Sequence, residues 1–354
     1  MKRFLVKFFG IAIIMIIIMV AILLIWGTVN DYRPSREIIV DIEGSTDIVD
    51  TIDTGDTLTF LSWNIGYGGL GSAMDFFYDG GNKVMPSEPY YQFCFSGIKD
   101  TLQQNREVDF IMLQEVDQCA KRSYGHNQVA AIAKVLPDHF HSFALNYNVS
   151  YVPVPMFRPM GRVVSGVMTL SKKKPVSSLR IAYPGSYSWP KRIFMLDRCF
   201  IISKYPLSNE KMLVVLNTHN SAFDKEGKLR KQEYGLIRKY MLREYEQGNY
   251  VVAGGDWNTN PTDFSPEDIV GDTVMKIHPP MDNDFMPEGW VWAIDHTTGT
   301  NREVKQAYIK GKTPVTIIDF FIMSPNIKLL GVTTREMGFV FSDHQPVLMK
   351  VVLL

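Results

Sequence analysis

Apolar runs of strand length recur along this chain, and five of them meet abrupt polar clusters at one end. Trp63-Asn64, Gln114-Glu115, Asn217-Thr218-His219 and Gly255-Asp256-Trp257-Asn258 each close such a run, and Ser342-Asp343-His344-Gln345-Pro346 opens the last one. Carboxylates, amides and imidazoles are costly to bury without partners. A sheet that aligns those ends gathers the polar groups into one cleft, so the pattern constrains the fold and the position of any site together.

The runs 58–63, 110–113, 166–170, 200–202, 212–216, 250–253, 317–323 and 347–352 have strand length and composition. Helical periodicity appears over 90–104, over 128–136 before Pro137, and over 225–246. In the last of these Leu229, Leu236, Ile237, Tyr240 and Met241 recur on one face, with Gly248 just past the end. Strands mixed with helices imply an α/β domain whose central sheets are covered by helices. Pro153, Pro155 and Pro159 mark 147–162 as an ordered loop.

The N-terminus carries a membrane signal. Lys2, Arg3 and Lys7 precede an uncharged stretch over 8–26, which as a helix spans roughly 28 Å, close to the thickness of a bilayer's hydrocarbon core. No small-x-small cleavage site follows, so the stretch reads as an uncleaved transmembrane helix. The basic residues before it keep residues 1–7 cytoplasmic and place the rest of the chain outside. Residues 27–56 carry Asp41, Glu43, Asp47, Asp50, Asp53 and Asp56 and read as a juxtamembrane stalk or an edge segment; the catalytic domain is expected over 57–354.

Bulk properties narrow the partners. Lys+Arg and Asp+Glu each total 37, giving zero formal net charge, so no strong basic field recommends nucleic acid. Lys172-Lys173-Lys174 reads as a solvated loop. The three cysteines, Cys94, Cys119 and Cys199, show neither zinc spacing nor a disulfide framework. Nothing in the sequence calls for an obligate protein partner.

Each cluster has a chemical reading beside a structural one. Asn64 before Gly66, Gly68 and Gly69 either caps a turn or faces a ligand. Glu115, directly after a buried run, is a strand-end acid or a ligand for a hard cation. His219 is a core histidine or a donor to a phosphate oxygen. Asp256 and Asn258 have the D-x-N spacing that sends two side chains the same way, one to hold and deprotonate water and one to orient it. Asp319, among apolar neighbours, needs a partner, and His344 is the natural one, with Asp343 available to complete a metal shell.

In this order, Trp63-Asn64, Gln114-Glu115-Val116-Asp117, Asn217-Thr218-His219, Gly255-Asp256-Trp257-Asn258, Ile318-Asp319-Phe320 and Ser342-Asp343-His344 closely resemble the endonuclease/exonuclease/phosphatase superfamily. That superfamily includes secreted deoxyribonucleases, abasic-site endonucleases, inositol polyphosphate phosphatases and neutral sphingomyelinases. The segment Gly166-Val167-Met168-Thr169-Leu170-Ser171-Lys172 also looks like the family's internal strand. The resemblance implies a four-layer α/β sandwich of two packed mixed sheets flanked by helices, and an Mg²⁺ ion that Mn²⁺ can replace. It implies that Asn64, Glu115 and Asp343 lie at or near the metal, and that Asp256 activates the nucleophilic water while Asn258 positions it. It further implies that His219 and His344 contact the phosphate and that Asp319 supports His344. The expected activity is hydrolysis of a phosphodiester or phosphomonoester, with a phospholipid headgroup favoured by the anchor, nucleic acid as the alternative, and a catalytically silent binding domain as the third reading.

Overall fold

The computed structural model describes residues 2–44, 50–222, 224, 226–277 and 279–354; Asp47 and Lys225, which the sequence reading placed in the acidic segment and the long helix, lie outside them. The helices are α1 (Lys2–Val29), α2 (Glu88–Gln104), α3 (Gln128–Val135) and α4 (Lys228–Glu246). The first seven strands are β1 (Glu37–Ile39), β2 (Thr57–Asn64), β3 (Phe110–Asp117), β4 (Phe140–Val152), β5 (Gly161–Ser171), β6 (Ser177–Ala182) and β7 (Cys199–Pro206). They are followed by β8 (Met212–His219), β9 (Tyr250–Asp256), β10 (Val291–Ala293), β11 (Asn301–Arg302), β12 (Val315–Thr316), β13 (Asp319–Met323), β14 (Ile327–Thr334) and β15 (Val347–Leu353).

Two mixed sheets form the centre. A seven-stranded sheet has the order β1-β6-β7-β8-β9-β13-β10, and a six-stranded sheet the order β14-β15-β2-β3-β5-β4. Each contains one parallel pair, β8 with β9 and β2 with β3. The buried strands read as near-continuous apolar runs because both faces are covered. Between the sheets lie Phe60, Phe110 and Met349 from one side and Val215, Val252 and Phe321 from the other. Phe60 stacks on Phe110 with ring centroids 4.7 Å apart. Helices α2 and α3 cover the outer face of the six-stranded sheet through Phe95, Ile98, Leu102 and Ile132. Helix α4 covers the outer face of the other through Ile237, Tyr240 and Met241. The architecture is the expected four-layer α/β sandwich, preceded by an apolar helix.

Several local expectations shift. The 147–162 segment is not one loop: Tyr147 to Val152 continue β4 and Gly161 opens β5, leaving 153–160 as the hairpin tip. The sequence hid β4 because its buried face carries Ser142 and Asn146 beside Phe140 and Ala144. The strand expected over 317–323 starts at Asp319, which heads the strand rather than interrupting it. Within residues 27–56, β1 adds to the edge of the seven-stranded sheet against β6, and Tyr240 of α4 donates a hydrogen bond to Glu37. Trp292 and Trp290 join the core cluster under α4.

Helix α1 has a span of mean hydropathy 3.4 over Arg3–Val29 and is long and apolar enough to cross a membrane. Its last turn packs on the domain. A Cβ on Gly27 would lie 2.9 Å from Ile193 Cδ1, and Trp189 Nε1 donates to Thr28 Oγ1 at 3.1 Å.

The inter-sheet core predicts a graded response. Phe60→Ala removes a fully buried ring and is expected to cost about 3–5 kcal/mol. Ile39→Ala, at an 82% exposed position, changes stability by less than about 0.5 kcal/mol. Denaturant unfolding of the detergent-solubilised chain measures both.

Candidate active site

The strand directions bring the polar clusters together. The C-terminal ends of the parallel pairs β2/β3 and β8/β9 present Asn64 with Gln114, and His219 with Asp256. Strand β13 runs antiparallel to β9, so its first residue, Asp319, pairs with Asp256. The segment before β15 arrives at the same end, where His344 bridges to Asn301. In open α/β sheets, ligands sit at such carboxyl ends.

Asp256 is the hub. Its Oδ2 accepts hydrogen bonds from Asn64 Nδ2 at 3.0 Å and Asn258 Nδ2 at 3.2 Å, and its Oδ1 from the Asn258 backbone N–H at 2.9 Å. His219 Nε2 stands 3.5 Å and His344 Nε2 3.7 Å from the same Oδ2. Burial raises the Asp256 pKa to about 7, with charged His344 pulling it down and Asp319 pushing it up. Asn258 holds a left-handed backbone (φ 50°) and also donates to Asn220 O at 2.8 Å.

The two imidazoles are in different states. His344 Nδ1 donates to Asp319 Oδ2 at 2.8 Å. Burial opposes charge on this ring, but Asp319, Asp256 and Asp343 outweigh it and raise the His344 pKa to about 10. Burial holds His219 well below the usual histidine range, with Arg198, His344 and Arg122 pushing the same way. No partner for His219 Nδ1 is found among the described residues. The two rings that flank this carboxylate are therefore pushed in opposite directions, His344 toward the charged form and His219 toward the neutral one.

Glu115 and Asp343 supply acidic groups at the mouth. Strand β3 carries a bulge between Leu113 and Val116, opposite Met168 and Gly166 of β5, and Glu115 within it has φ 56°. A bulge re-aims a side chain, and this one leaves the Glu115 carboxylate partly exposed and 3.4 Å from Asn64 Nδ2. Asp343 sits against Gly66, where a Cβ would lie 2.7 Å from its Oδ1. Burial raises the Asp343 pKa to about 6, with His344 and Arg302 pulling it down and Glu115 pushing it up. Two carboxylates that line one cleft and feel each other's charge, one in a cradle that only a glycine leaves open, suit a divalent cation. Asn64 borders this place, its Oδ1 taken by the Gly66 N–H at 3.0 Å. Asp256, Asp319 and His344 also present ligand atoms within 4.8 Å of one another. A pair of carboxylates suits a hard cation better than a group that includes an imidazole.

The cleft holds about 350 Å³ and contains residues that sequence reasoning did not single out. Arg122 pairs with Asp117 at 2.9 Å, lies 3.9 Å from Glu115 and stacks over the Tyr67 ring at 3.8 Å. Asp79 lines the wall, its pKa raised to about 7 by burial and by Asp343 and Glu115. Tyr67 Oη, Asn146 Nδ2 and Arg198 Nη1 are buried without a hydrogen-bond partner among the described residues, on side chains that line the cleft. No run-end signal marks these residues; the Val116-Asp117 continuation of β3 hinted only at Asp117. Arg302 lines the wall while donating to the carbonyls of Leu70, Gly71 and Met74. Tyr151 and Arg158 are exposed and outside the lining.

A two-sheet sandwich with carboxylates, amides and imidazoles converged at one set of strand ends defines a hydrolase of phosphate esters. The chain belongs to the Endonuclease/Exonuclease/phosphatase family, whose profile matches residues 61–344. No curated protein matches the chain by sequence. Among solved structures, the endonuclease/exonuclease/phosphatase from Bacteroides vulgatus is 16% identical with a TM-score of 0.53, covering 84% of this chain and 100% of that one. ANGEL2, a 2′,3′-cyclic phosphatase in complex with adenosine-2′,3′-vanadate, is 14% identical with a TM-score of 0.56, covering 89% and 99%. TDP2 from D. rerio, complexed with a single-strand DNA product, is 13% identical with a TM-score of 0.52, covering 83% and 98%.

The His344–Asp319 pair can be tested without substrate. Removing the Asp319 charge removes a group that favours the protonated ring, so the His344 pKa must fall. In Asp319→Asn, imidazole NMR is expected to show His344 titrating at lower pH than in the unsubstituted chain. An unchanged titration would mean that the pair does not set the charge of the ring.

Proposed function

We propose that the chain is a membrane-anchored, Mg²⁺-dependent phosphoesterase in which water held by Asp256 attacks phosphorus in line. The observation that carries this reading is the placement of Asp256 Oδ2 between His219 Nε2 and His344 Nε2, beside the Glu115 and Asp343 carboxylates. When bound, Mg²⁺ or its substitute Mn²⁺, held by Glu115 and Asp343 next to Asn64, supplies charge neutralisation at the phosphoryl and leaving oxygens. Asp256 accepts the proton of the attacking water, and the Asn258 amide fixes the carboxylate and orients the water. Protonated His344, steadied by Asp319, donates toward a phosphoryl oxygen, where developing charge is stabilised. Neutral His219 takes a second oxygen. Tyr67, Asn146 and Arg198 offer further donors to the ester. Residues 57–354 form the catalytic domain, 8–26 the anchor, and 1–7 the cytoplasmic end.

The favoured substrate is a phospholipid headgroup, because an anchored enzyme meets membrane substrates at high local concentration. The competing reading is an extracytoplasmic nuclease, favoured by the fold shared with a TDP2 bound to a DNA product. Turnover by the full-length chain in detergent, measured in parallel on phospholipid, sphingomyelin, inositol phosphates and plasmid DNA, separates the two. Plasmid nicking without lipid turnover overturns the lipid assignment, and no turnover of any ester leaves a binding domain.

The charges set the kinetics. Asp256→Asn and His344→Ala are each expected to lower kcat/KM by about 10³-fold with the fold intact by circular dichroism. Chelation should abolish turnover and Mg²⁺ or Mn²⁺ restore it. The pH–rate profile is expected to rise as Asp256 loses its proton and to fall at higher pH as His344 loses its own, with a bound cation moving both limbs below the metal-free values of about 7 and about 10. A flat profile across both limbs contradicts these roles.

A further inference from the structure

The catalytic cleft, the end of α1 and the β4–β5 hairpin tip share one corner of the molecule. Trp26, Gly27 and Tyr32 at the end of α1 and just beyond it line a crevice together with Asn148, Ser150 and Tyr151 of β4. The Tyr32 ring lies 6.0 Å from the Arg180 guanidinium, whose Nε donates to Leu145 O. The end of α1 therefore packs beside β4 on the approach to its tip.

That tip is the densest apolar exposure of the domain. Phe157 is 88% exposed, Met156 75% and Val154 40%, with Tyr151 just before them. Exposed apolar residues scattered singly are ordinary, but three within four positions form a patch. Trp189, 55% exposed, is tied to the same corner by its bond to Thr28. Arg158, exposed, follows Phe157 in the chain, and Lys191, exposed, lies 3.8 Å over the ring of Tyr187, two residues before Trp189. Aromatic side chains with adjacent basic groups are the composition of a membrane–water interface.

The patch is coupled to the site. Phe194 O accepts from Tyr147 Oη at 3.0 Å, and Met195, Leu196 and Arg198 of the same segment line the cleft. Met160, whose N–H donates to Val154 O at 3.0 Å across the tip, lines it as well. One wall of the cleft thus belongs to the segments that carry the exposed rings.

We propose that the hairpin tip and the Trp189 segment dock into the interface of the bilayer that α1 crosses, holding the cleft mouth at headgroup level. The occupant is the lipid surface, argued from continuity with α1, and the substrate is then the phosphate ester of a lipid headgroup in that leaflet. This rests on the anchor and phosphoesterase readings above.

The test uses the full chain reconstituted in vesicles of phosphatidylethanolamine and phosphatidylglycerol, with Cys119→Ser as background. An environment-sensitive fluorophore is placed at Phe157→Cys or, as control, at Ser208→Cys. Ser208 lies beyond the far end of β7, whose eight residues span roughly 23 Å. Flotation reports the anchor, and quenching by nitroxide lipid reports docking. The expected result is flotation of both proteins, with a blue shift and quenching at position 157 only. Flotation without quenching at 157 overturns the docking proposal and leaves the anchor reading intact, whereas failure to float defeats both. In parallel, Met156→Ser/Phe157→Ser is expected to lower turnover of vesicle phospholipid about tenfold and to leave turnover of a soluble aryl phosphodiester unchanged. Equal loss on both substrates, or on neither, counts against docking, and absence of turnover on either by the unsubstituted chain counts against the phosphoesterase reading instead.

Discussion

Everything at the cleft depends on two sheets being stitched together through buried polar groups at one edge of an apolar interface. Asn64 of the six-stranded sheet donates to Asp256 of the seven-stranded sheet at 3.0 Å, and Gln114 Nε2 donates to Asn217 Oδ1 at 2.8 Å across the same gap. Asn217 in turn donates to Met168 O at 3.0 Å. Apart from Gln114 Oε1, which has no partner among the described residues, these buried amides are bonded, and the bonds fix the relative slide of the sheets. With that slide fixed, the imidazoles and carboxylates meet at a few ångströms. An apolar interface alone leaves it free.

Much of this was legible in the sequence. Polar clusters at the ends of apolar runs gave away the positions of Asn64, Glu115, His219, Asp256 and His344, because a buried strand has few other reasons to end so abruptly. The helices α2, α3 and α4 followed from periodicity. What stayed hidden depends on backbone geometry and on partners far away in sequence. The bulge that turns Glu115 into the cleft leaves no mark in residue spacing, and β4 hid behind buried Ser142 and Asn146. Arg122 and Arg198 look like ordinary surface cations until burial shows them against the acids and donors of the cleft wall. The sign of charge on each histidine was equally invisible, since it follows from which carboxylates surround the ring.

The electrostatic layout makes a division of labour. A single carboxylate, Asp256, is shared by a ring that burial and nearby cations keep neutral and a ring that three acids keep charged. Burial places Asp256 itself near neutrality, where a base works best. Asp343 adds to the acids around His344, and Glu115 lies 3.8 Å from His219 Nε2, so the proposed cation site adjoins this arrangement. Under the docking proposal, the apolar helix and the hairpin tip add a second organising surface, one that orients the whole cleft rather than its atoms.

The central claim is that a divalent ion binds between Glu115 and Asp343 and not within the Asp256–Asp319–His344 group. Anomalous diffraction from crystals soaked in Mn²⁺ locates the ion directly. The account predicts one strong peak within coordination distance of a Glu115 and an Asp343 carboxylate oxygen, lost in Glu115→Gln. A peak bonded to His344 and Asp319, or an undiminished peak in Glu115→Gln, contradicts it.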